Sequence, residues 1–127
     1  MLDFENRVLL QADIGNSHVI AELNDGKVIA WGINKFKVLG HNVPEEIYRN
    51  AQNFVEFKFN NITQVTAYEY NCAVIADGKV YYWGKSMDTT SKDIDKPLLL
   101  DKDLICTKVK LGKHFVSVVS GGDIYTL

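Results

Sequence analysis

DGKVIAWG, residues 25–32, returns as DGKVYYWG at residues 77–84, and this recurrence is the main evidence for the fold. The two copies lie 52 residues apart, and a fixed period of that size is typical of repeat architectures. Asp-Gly between two apolar runs predicts a tight hairpin turn, since Gly accepts the positive φ that the turn requires. The β-branched and aromatic residues that follow predict a strand. Each copy is therefore predicted to be a hairpin that ends at Trp-Gly.

The repeat extends over residues 15–32 and 67–84, where seven of 18 aligned positions are identical. Unrelated segments would share roughly one. The identical pairs are Ala21/Ala73, Asp25/Asp77, Gly26/Gly78, Lys27/Lys79, Val28/Val80, Trp31/Trp83 and Gly32/Gly84. The conserved features of the unit are thus a turn, a strand and a tryptophan.

A third, shorter unit follows. Gly121-Gly122 replaces Asp-Gly at its turn, 44 residues after the second, and Leu127 falls where the tryptophan should be. The pattern predicts an all-β chain of three antiparallel meanders in one repeat domain, with units at about 8–53, 54–97 and 98–127. The predicted strands are residues 8–14, 18–23, 27–31, 54–59, 62–67, 71–76, 79–83, 98–100, 104–111, 114–119 and 124–127.

The connections between the units are less regular. Residues 44–51 allow a short helix, because Pro44 suits a first helical turn and the acidic pair after it suits the positive end of the helix dipole; an irregular connection is the alternative. Residues 85–97 are polar and are predicted to form an exposed loop. Loops 41–53 and 85–97 are where partner contacts are expected, since loops on a rigid scaffold usually carry recognition.

Composition favours an ordinary globular domain. The 127 residues are 46% apolar and 24% charged, and the net charge of −2 argues against a nucleic-acid or anionic-membrane binder. The lysines at 108, 110 and 113 alternate as on the solvated face of a strand. Cys72 and Cys106 lie in apolar contexts and are interpreted as reduced core residues. With no secretory signal pattern and no run long enough to span a bilayer, an intracellular location, cytoplasmic or nuclear, is expected.

Catalytic chemistry is not indicated. His41 has no partner at metal-ligand or triad spacing, and Asp25 and Asp77 are explained as turn formers before Gly. The chain carries no phosphate-cradling glycine loop, nucleophile elbow or metal motif. No enzyme activity, cofactor or metal is therefore expected. Trp31 and Trp83 are interpreted as anchors that face a neighbouring sheet, rather than as stacking platforms for a ligand.

The chain resembles the regulator of chromosome condensation repeat, which runs Gly-x-x-His, Asp-Gly-x-Val-Tyr-x-Trp-Gly and then x-Asn-x-aromatic-Gly-Gln-Leu-Gly. The first unit matches at Gly15, His18, Asp25, Gly26, Trp31, Gly32, Asn34, Leu39 and Gly40. The second keeps Asp77, Gly78, Trp83 and Gly84, with Ala67 for the Gly and Tyr70 for the His. The third keeps Gly122 at its turn, Gly112 one place out of register, and His114.

This resemblance implies a β-propeller, in which each repeat builds one four-stranded blade and seven usually close a ring. Three units are too few for that ring, so the resemblance implies part of a longer polypeptide, a core completed by other chains, or a compact stack. It implies that the residues above, including His18 and His114, serve structure. The function it implies is a non-enzymatic protein-interaction module, a scaffold with protein partners or self-association. One alternative is a guanine-nucleotide exchange factor for a small GTPase; another is a pathogen or viral mimic of host repeats.

Overall fold

The first sheet contains five strands. A computed structural model describes residues 6–40, 43–48, 53–86 and 92–127. The strands of the first sheet are β1 (Leu9–Ile14), β2 (His18–Leu23), β3 (Lys27–Ile33), β4 (Glu46–Ile47) and β5 (Val55–Lys58). All pairings are antiparallel, in the order β1-β2-β3, and both β4 and β5 pair with β3. A turn of 3-10 helix, Lys35–Lys37, follows β3.

Two further meanders complete the chain. The second sheet has four strands, namely β6 (Ile62–Tyr68), β7 (Asn71–Ala76), β8 (Lys79–Gly84) and β9 (Ile94–Leu99), in sequence order. The third has three, namely β10 (Lys108–Leu111), β11 (Val116–Ser120) and β12 (Asp123–Thr126). The predicted all-β meander architecture is confirmed.

The glycines at the hairpins set the turns. Gly121 and Gly122 have φ of 59° and 87°, and Asp77 and Gly78 have φ of 52° and 74°. Two consecutive positive φ values define the turn that matches the twist of a hairpin. The first turn is longer by one residue, because Glu22 pairs with Val28 whereas the equivalent pair in the second sheet is Ile75 with Val80. Equivalent residues of the first two units are therefore 53 positions apart before the turn and 52 positions apart after it.

The connections differ from the predictions. The strand predicted at 54–59, placed in the second unit, pairs with β3 in the first sheet, because Val55–Lys58 continues the edge that the sheet leaves open beside Lys27–Ala30. Glu46–Ile47 is a strand rather than the start of a helix, since both residues pair with the end of β3; residues 49–51 lie outside the described part. The strand predicted at 98–100 begins earlier, at Ile94, inside the predicted loop.

Two of the three hydrophobic clusters among the described residues lie between the sheets. One joins the first sheet to the second through residues such as Ile20, Val28, Val74 and Trp83. The other joins the second sheet to the third through Ile75, Tyr82, Val109 and Val118 among others. The stacking explains why β7 is buried at every position, since both of its faces are covered.

Candidate interaction surfaces

Trp83 fastens the second sheet to the first. Its side chain is fully buried, its ring centroid lies 4.9 Å from that of Phe57 on β5, and its Nε1–H donates to the Val38 carbonyl at 2.8 Å. Asn34 shapes the loop that presents this carbonyl: its Oδ1 accepts from the Leu39 N–H at 2.8 Å and its Nδ2 donates to the Gly40 carbonyl at 3.1 Å. The Asn34 loop, residues 34–40, is thus a receptor for the tryptophan of the next sheet.

The tryptophan and its receptor loop are lost together between the second and third sheets. Cross-strand pairing aligns Trp31, Trp83 and Leu127, which lie opposite Val19, Cys72 and Val116. Leu127 therefore occupies the tryptophan position, as predicted. After Gly84 the chain continues Lys85-Ser86 and has no counterpart of the Asn34 loop in its sequence. Trp31 lies half-buried on the opposite face of the first sheet, where it and Phe54 pack against the cluster of Ala21, Leu23 and Ile29.

The predicted histidine position requires a correction in two sheets. His18 pairs with Gly32 as Asn71 pairs with Gly84, so Asn71 rather than Tyr70 is the counterpart of His18. In the third sheet the Gly112 N–H donates to the Phe115 carbonyl at 2.8 Å, just as the Gly15 N–H donates to the His18 carbonyl at 2.9 Å. Phe115, not His114, therefore occupies this position, and Gly112 is in register. The extra residue in the first turn displaced the alignment by one, and for the same reason Tyr68 rather than Ala67 is the counterpart of Gly15.

The glycines of the motif permit close approaches. A Cβ on Gly15 would lie 2.2 Å from His18 Cε1, and one on Gly112 would lie 2.5 Å from the Phe115 ring. Gly32 and Gly84 have positive φ, and a Cβ there would lie 2.3 and 2.2 Å from the carbonyl oxygens of Ser17 and Tyr70. The motif residues are therefore distributed over turns, strand ends and sheet contacts, and the fold does not gather them into one pocket.

His18 links two sheets as a neutral residue. Its Nε2 donates to the Asn71 carbonyl at 3.2 Å, and its Nδ1 is buried without a hydrogen-bond partner among the described residues. Burial lowers the pKa of His18, more than the Asn71 carbonyl and Asp13 raise it. Both cysteines are free and buried, as predicted, and burial raises the pKa of Cys72 well above its usual value, which makes this thiol a poor nucleophile.

Two glutamines bond the first strand of one sheet to the first strand of the next, and the sequence did not predict these contacts. Gln11 on β1 accepts from the Val65 N–H at 3.1 Å and donates to the Thr63 carbonyl at 3.3 Å on β6. Gln64 on β6 accepts from the Val109 N–H at 2.9 Å and donates to the Val109 carbonyl at 2.8 Å on β10. We call this arrangement the glutamine clamp. Its sequence signal is the recurrence of Gln after 53 residues, which the 52-residue alignment hides.

Two surfaces of the stack are open. At one end β12 pairs with β11 on one side, and all four of its residues are exposed, with Ile124 76% exposed. At the other end β1 exposes Leu10, Ala12 and Ile14, the last to 71%. The two surfaces therefore offer a sheet edge and apolar contacts.

Among the described residues no group of three His, Cys, Asp or Glu could hold a metal ion, and no helix is long and apolar enough to cross a membrane.

Solved structures share this architecture. The chain superimposes on yeast RCC1 (Prp20), in a crystal structure bound to Kap60, with a TM-score of 0.77 and 22% identity over 98% of the chain and 30% of that protein. The fold is that of regulator of chromosome condensation repeats. A second structure of Prp20p from Saccharomyces cerevisiae, described with its binding to Gsp1p and histones, gives a TM-score of 0.75 at 22% identity, over 98% of the chain and 31% of that protein. Human WBSCR16 gives 0.76 at 14% identity, over 98% of the chain and 36% of that protein. The predicted propeller-type blades are thereby confirmed.

The curated relatives that the chain matches are longer proteins. Protein pim1 of Schizosaccharomyces pombe is 33% identical over an alignment of 84 residues that covers 57% of this chain and 16% of pim1. Guanine nucleotide exchange factor SRM1 of Saccharomyces cerevisiae is 24% identical over 97% of this chain and 28% of its own length. The chain thus spans less than a third of the curated relatives that it matches. No family model matches the chain.

Proposed function

We propose that this chain is a non-enzymatic protein-interaction module within a larger assembly, in which the open edge of the third blade receives an extended strand. The observation that carries the proposal is the number of strands in the third sheet, which has three, whereas the first sheet has five and the second has four. The position that β5 fills beside β3, and β9 beside β8, lies open beside β12 in the described part of the chain. Proteins commonly recognise extended segments by adding them to such an edge.

The backbone of β12 is oriented for this addition. The Leu127 N–H donates inward to the Val116 carbonyl at 2.8 Å, so the N–H and C=O groups of Thr126 and Ile124 point to the open side. Pairing aligns Ile124 with Val80 of the second sheet, whose carbonyl accepts from the Leu100 N–H at 3.0 Å beside β9. The second sheet therefore provides the template for the strand that the third sheet would receive.

The protein class of the partner is supported by the structural neighbours. Prp20 was crystallised with Kap60 and studied with Gsp1p and histones, and all of these are proteins. The contacts that define the repeat in this chain serve sheet stacking, which fits a platform better than a catalyst. We infer a protein partner rather than a small-molecule substrate.

Hydrogen exchange on the isolated chain tests the proposal. We expect the amides of Ile124 and Thr126 to exchange as rapidly as exposed loop amides, whereas the amide of Val74 in the centre of β7 exchanges slowly. Slow exchange at 124 and 126 in a single, unassociated chain would show that the edge is already closed and would refute the proposal.

The mass of the chain in solution identifies the kind of partner. If copies supply the strand to each other, light scattering after size exclusion will show a discrete oligomer. Ile124→Pro, which removes an outward N–H, will then reduce it to a single chain, and the matched Ile124→Val will not. A single chain of 14.3 kDa for all three proteins would show that copies do not supply the strand to each other.

Exchange-factor activity is the second candidate, because the relative SRM1 is named a guanine nucleotide exchange factor. The chain covers 28% of that protein, and the residues that resemble the repeat motif here serve turns, strand ends and sheet contacts. We therefore expect no acceleration of nucleotide release when the chain is added to a panel of small GTPases. Faster release from any of them would replace the non-enzymatic proposal.

A further inference from the structure

Two lysines and two aromatic rings meet where the Asn34 loop approaches the second sheet. The half-buried rings of Phe36 and Tyr70 lie 5.0 Å apart between centroids. The Lys35 ammonium lies 5.8 Å from the Phe36 centroid and 5.1 Å from the Tyr70 centroid. The Lys85 ammonium lies 5.0 Å from the Phe36 centroid. These distances are within the range over which the face of a ring attracts a cation. We call Lys35, Phe36, Tyr70 and Lys85 the lysine platform.

The contacts that dock the first two sheets also hold the lysine platform in place. One lysine and one ring belong to the Asn34 loop, whose Val38 carbonyl accepts from Trp83 Nε1–H at 2.8 Å. The other lysine and ring lie at the end of the second sheet, where the Lys85 N–H donates to the Tyr70 carbonyl at 3.1 Å. Because each sheet supplies half of the platform, the complete platform forms only when the two sheets are docked.

The positive charges of the platform are not neutralised within the described part of the chain. Lys35 and Lys85 are exposed, and neither forms an ion pair with a described residue. The cations near the first Asp-Gly turn differ, because Arg7 and Lys27 both pair with Glu56, at 3.1 and 3.3 Å. The first sheet therefore has neutralised cations at one end and cations without a carboxylate at the other.

A third lysine in the same loop is present despite backbone strain. Lys37 has a φ of 63° and follows Phe36 with a φ of 56°, conformations that are uncommon for residues that carry a Cβ. The repeat motif has Gly at the position of Lys37. Its side chain is exposed, so it adds positive charge to the loop rather than buried contact. Strained non-glycine residues occur preferentially at binding and catalytic sites, which agrees with a ligand at this loop.

We propose that the lysine platform binds an acidic segment of a partner protein, with a carboxylate of that segment on each ammonium group. Apolar parts of the same segment would lie on the exposed edges of the two rings. The whole chain has a net charge of −2, so the platform is a local positive surface that complements a segment of opposite charge. The proposal rests on the protein-interaction role proposed above, but it concerns a surface other than the β12 edge.

Two other kinds of anion fit the platform less well. A single-stranded nucleic acid would stack its bases on the rings, but ammonium groups already lie against both rings, and the chain as a whole is negative. A phosphate group is best matched by the two parallel donors of a guanidinium, whereas the platform offers two separate point charges. Two separate ammonium groups match two separate carboxylates.

Fluorescence anisotropy with the unmodified chain tests the proposal. The probe is a short fluorescein-labelled peptide of alternating Glu and Ser, and the neutral control peptide has Gln in place of each Glu. We expect the Glu peptide to bind and the Gln peptide not to bind. Binding should weaken about tenfold when the ionic strength is raised from roughly 0.02 M to roughly 0.2 M, because the ammonium groups are exposed to screening. Ile124→Pro should leave it unchanged, since β12 is not involved.

Variants of exposed lysines separate the platform from the general charge of the chain. Lys35→Glu combined with Lys85→Glu should weaken binding at least tenfold. The matched control combines Lys108→Glu with Lys110→Glu, which changes the net charge equally at two exposed lysines of β10, and should change binding by less than about twofold. Circular dichroism verifies that each variant is folded.

Two further variants test the positioning of the charges. Phe36→Leu keeps every charge but removes the ring that both ammonium groups approach, so it should weaken binding about threefold. Lys37→Gly should also weaken binding about threefold while raising the urea midpoint, since it removes both a charge and the backbone strain. A residue with a purely structural role would not move stability and binding in opposite directions.

Four outcomes would overturn the proposal. One is the absence of Glu-peptide binding to the folded chain, a result that would leave strand addition at β12 standing. Another is an equal loss of binding in the platform variant and in the Lys108 and Lys110 control. A third is loss of binding in Ile124→Pro, which would place the peptide on the β12 edge. The last is tighter binding, at equal total charge, of a phosphoserine peptide or of single-stranded DNA, which would make phosphate the preferred anion.

Discussion

Replacing Trp83 with Phe should destabilise the fold more than any other single aromatic replacement in the two copies of the Trp-Gly motif. The change keeps a ring near Phe57 but removes the Nε1–H that donates to the Val38 carbonyl. An unpaired buried acceptor costs about 1–3 kcal/mol, and the smaller ring leaves a cavity that costs about 1 kcal/mol more. We therefore expect a loss of about 2–4 kcal/mol, a large part of the roughly 5–15 kcal/mol that stabilises a domain.

Urea denaturation followed by far-UV circular dichroism measures this loss, provided that the slope of the transition is unchanged. The matched control is Trp31→Phe, which shortens the equivalent residue on the half-buried face of the first sheet and should cost less than half as much. A double-mutant cycle that combines Phe57→Leu with Trp83→Phe should give a coupling free energy of about 0.5–1.5 kcal/mol between the two rings. Equal losses at Trp31 and Trp83, or a loss below about 0.5 kcal/mol at Trp83, would refute the anchor argument.

Three further predictions concern single residues. Lys37→Gly should raise the free energy of unfolding by about 1 kcal/mol in urea, because Lys37 has a φ of 63° at the position where the repeat motif has Gly; a lower value would contradict the strain argument. Gly15→Ala should lower it by about 1–3 kcal/mol through the clash with His18, and His18→Ala in the same chain should recover part of the loss, which thermal unfolding would detect. Because burial lowers the pKa of His18, the unfolded chain binds the extra proton first, so stability should be complete above about pH 6.5 and fall as the pH decreases below it; urea midpoints between pH 7.5 and 5 should show this slope, and His18→Gln should reduce it.

Most of the sheet framework is predictable from the sequence because turn chemistry is local. Asp77-Gly78 and Gly121-Gly122 specify hairpins by their positive φ, and the alternation beside them specifies the strands. β2 and β7 have the predicted bounds, since each begins after a turn and ends at the next. The equivalence of Leu127 with the tryptophan position was likewise predictable, because it follows from the number of residues after the turn of each hairpin.

The contacts between sheets were less predictable, because they depend on register and on long-range pairing. One extra residue in the first turn shifted the alignment before it, so Asn71 and Phe115 were missed as counterparts of His18 and the Gln11–Gln64 recurrence was hidden. The pairing of β5 with β3 brings together residues nearly thirty positions apart, for which the sequence offers no local signal. The predicted contact loops fall partly on residues outside the described ranges, and His41 does so entirely, so these expectations remain predictions.

The direction of the tryptophan anchor has a consequence for how the protein is made. The Asn34 loop leaves the ribosome well before Trp83, which lies 45 residues after Val38. The first sheet must therefore persist during synthesis with the Val38 carbonyl solvated and the Phe57 ring uncovered, until the second hairpin arrives. The first blade is thus consolidated by a later part of the chain, which has not yet been translated when the first sheet forms. A truncation between Lys58 and Trp83 would leave that apolar surface accessible to chaperones, whereas a truncation after Gly84 would release a first blade that Trp83 can cover.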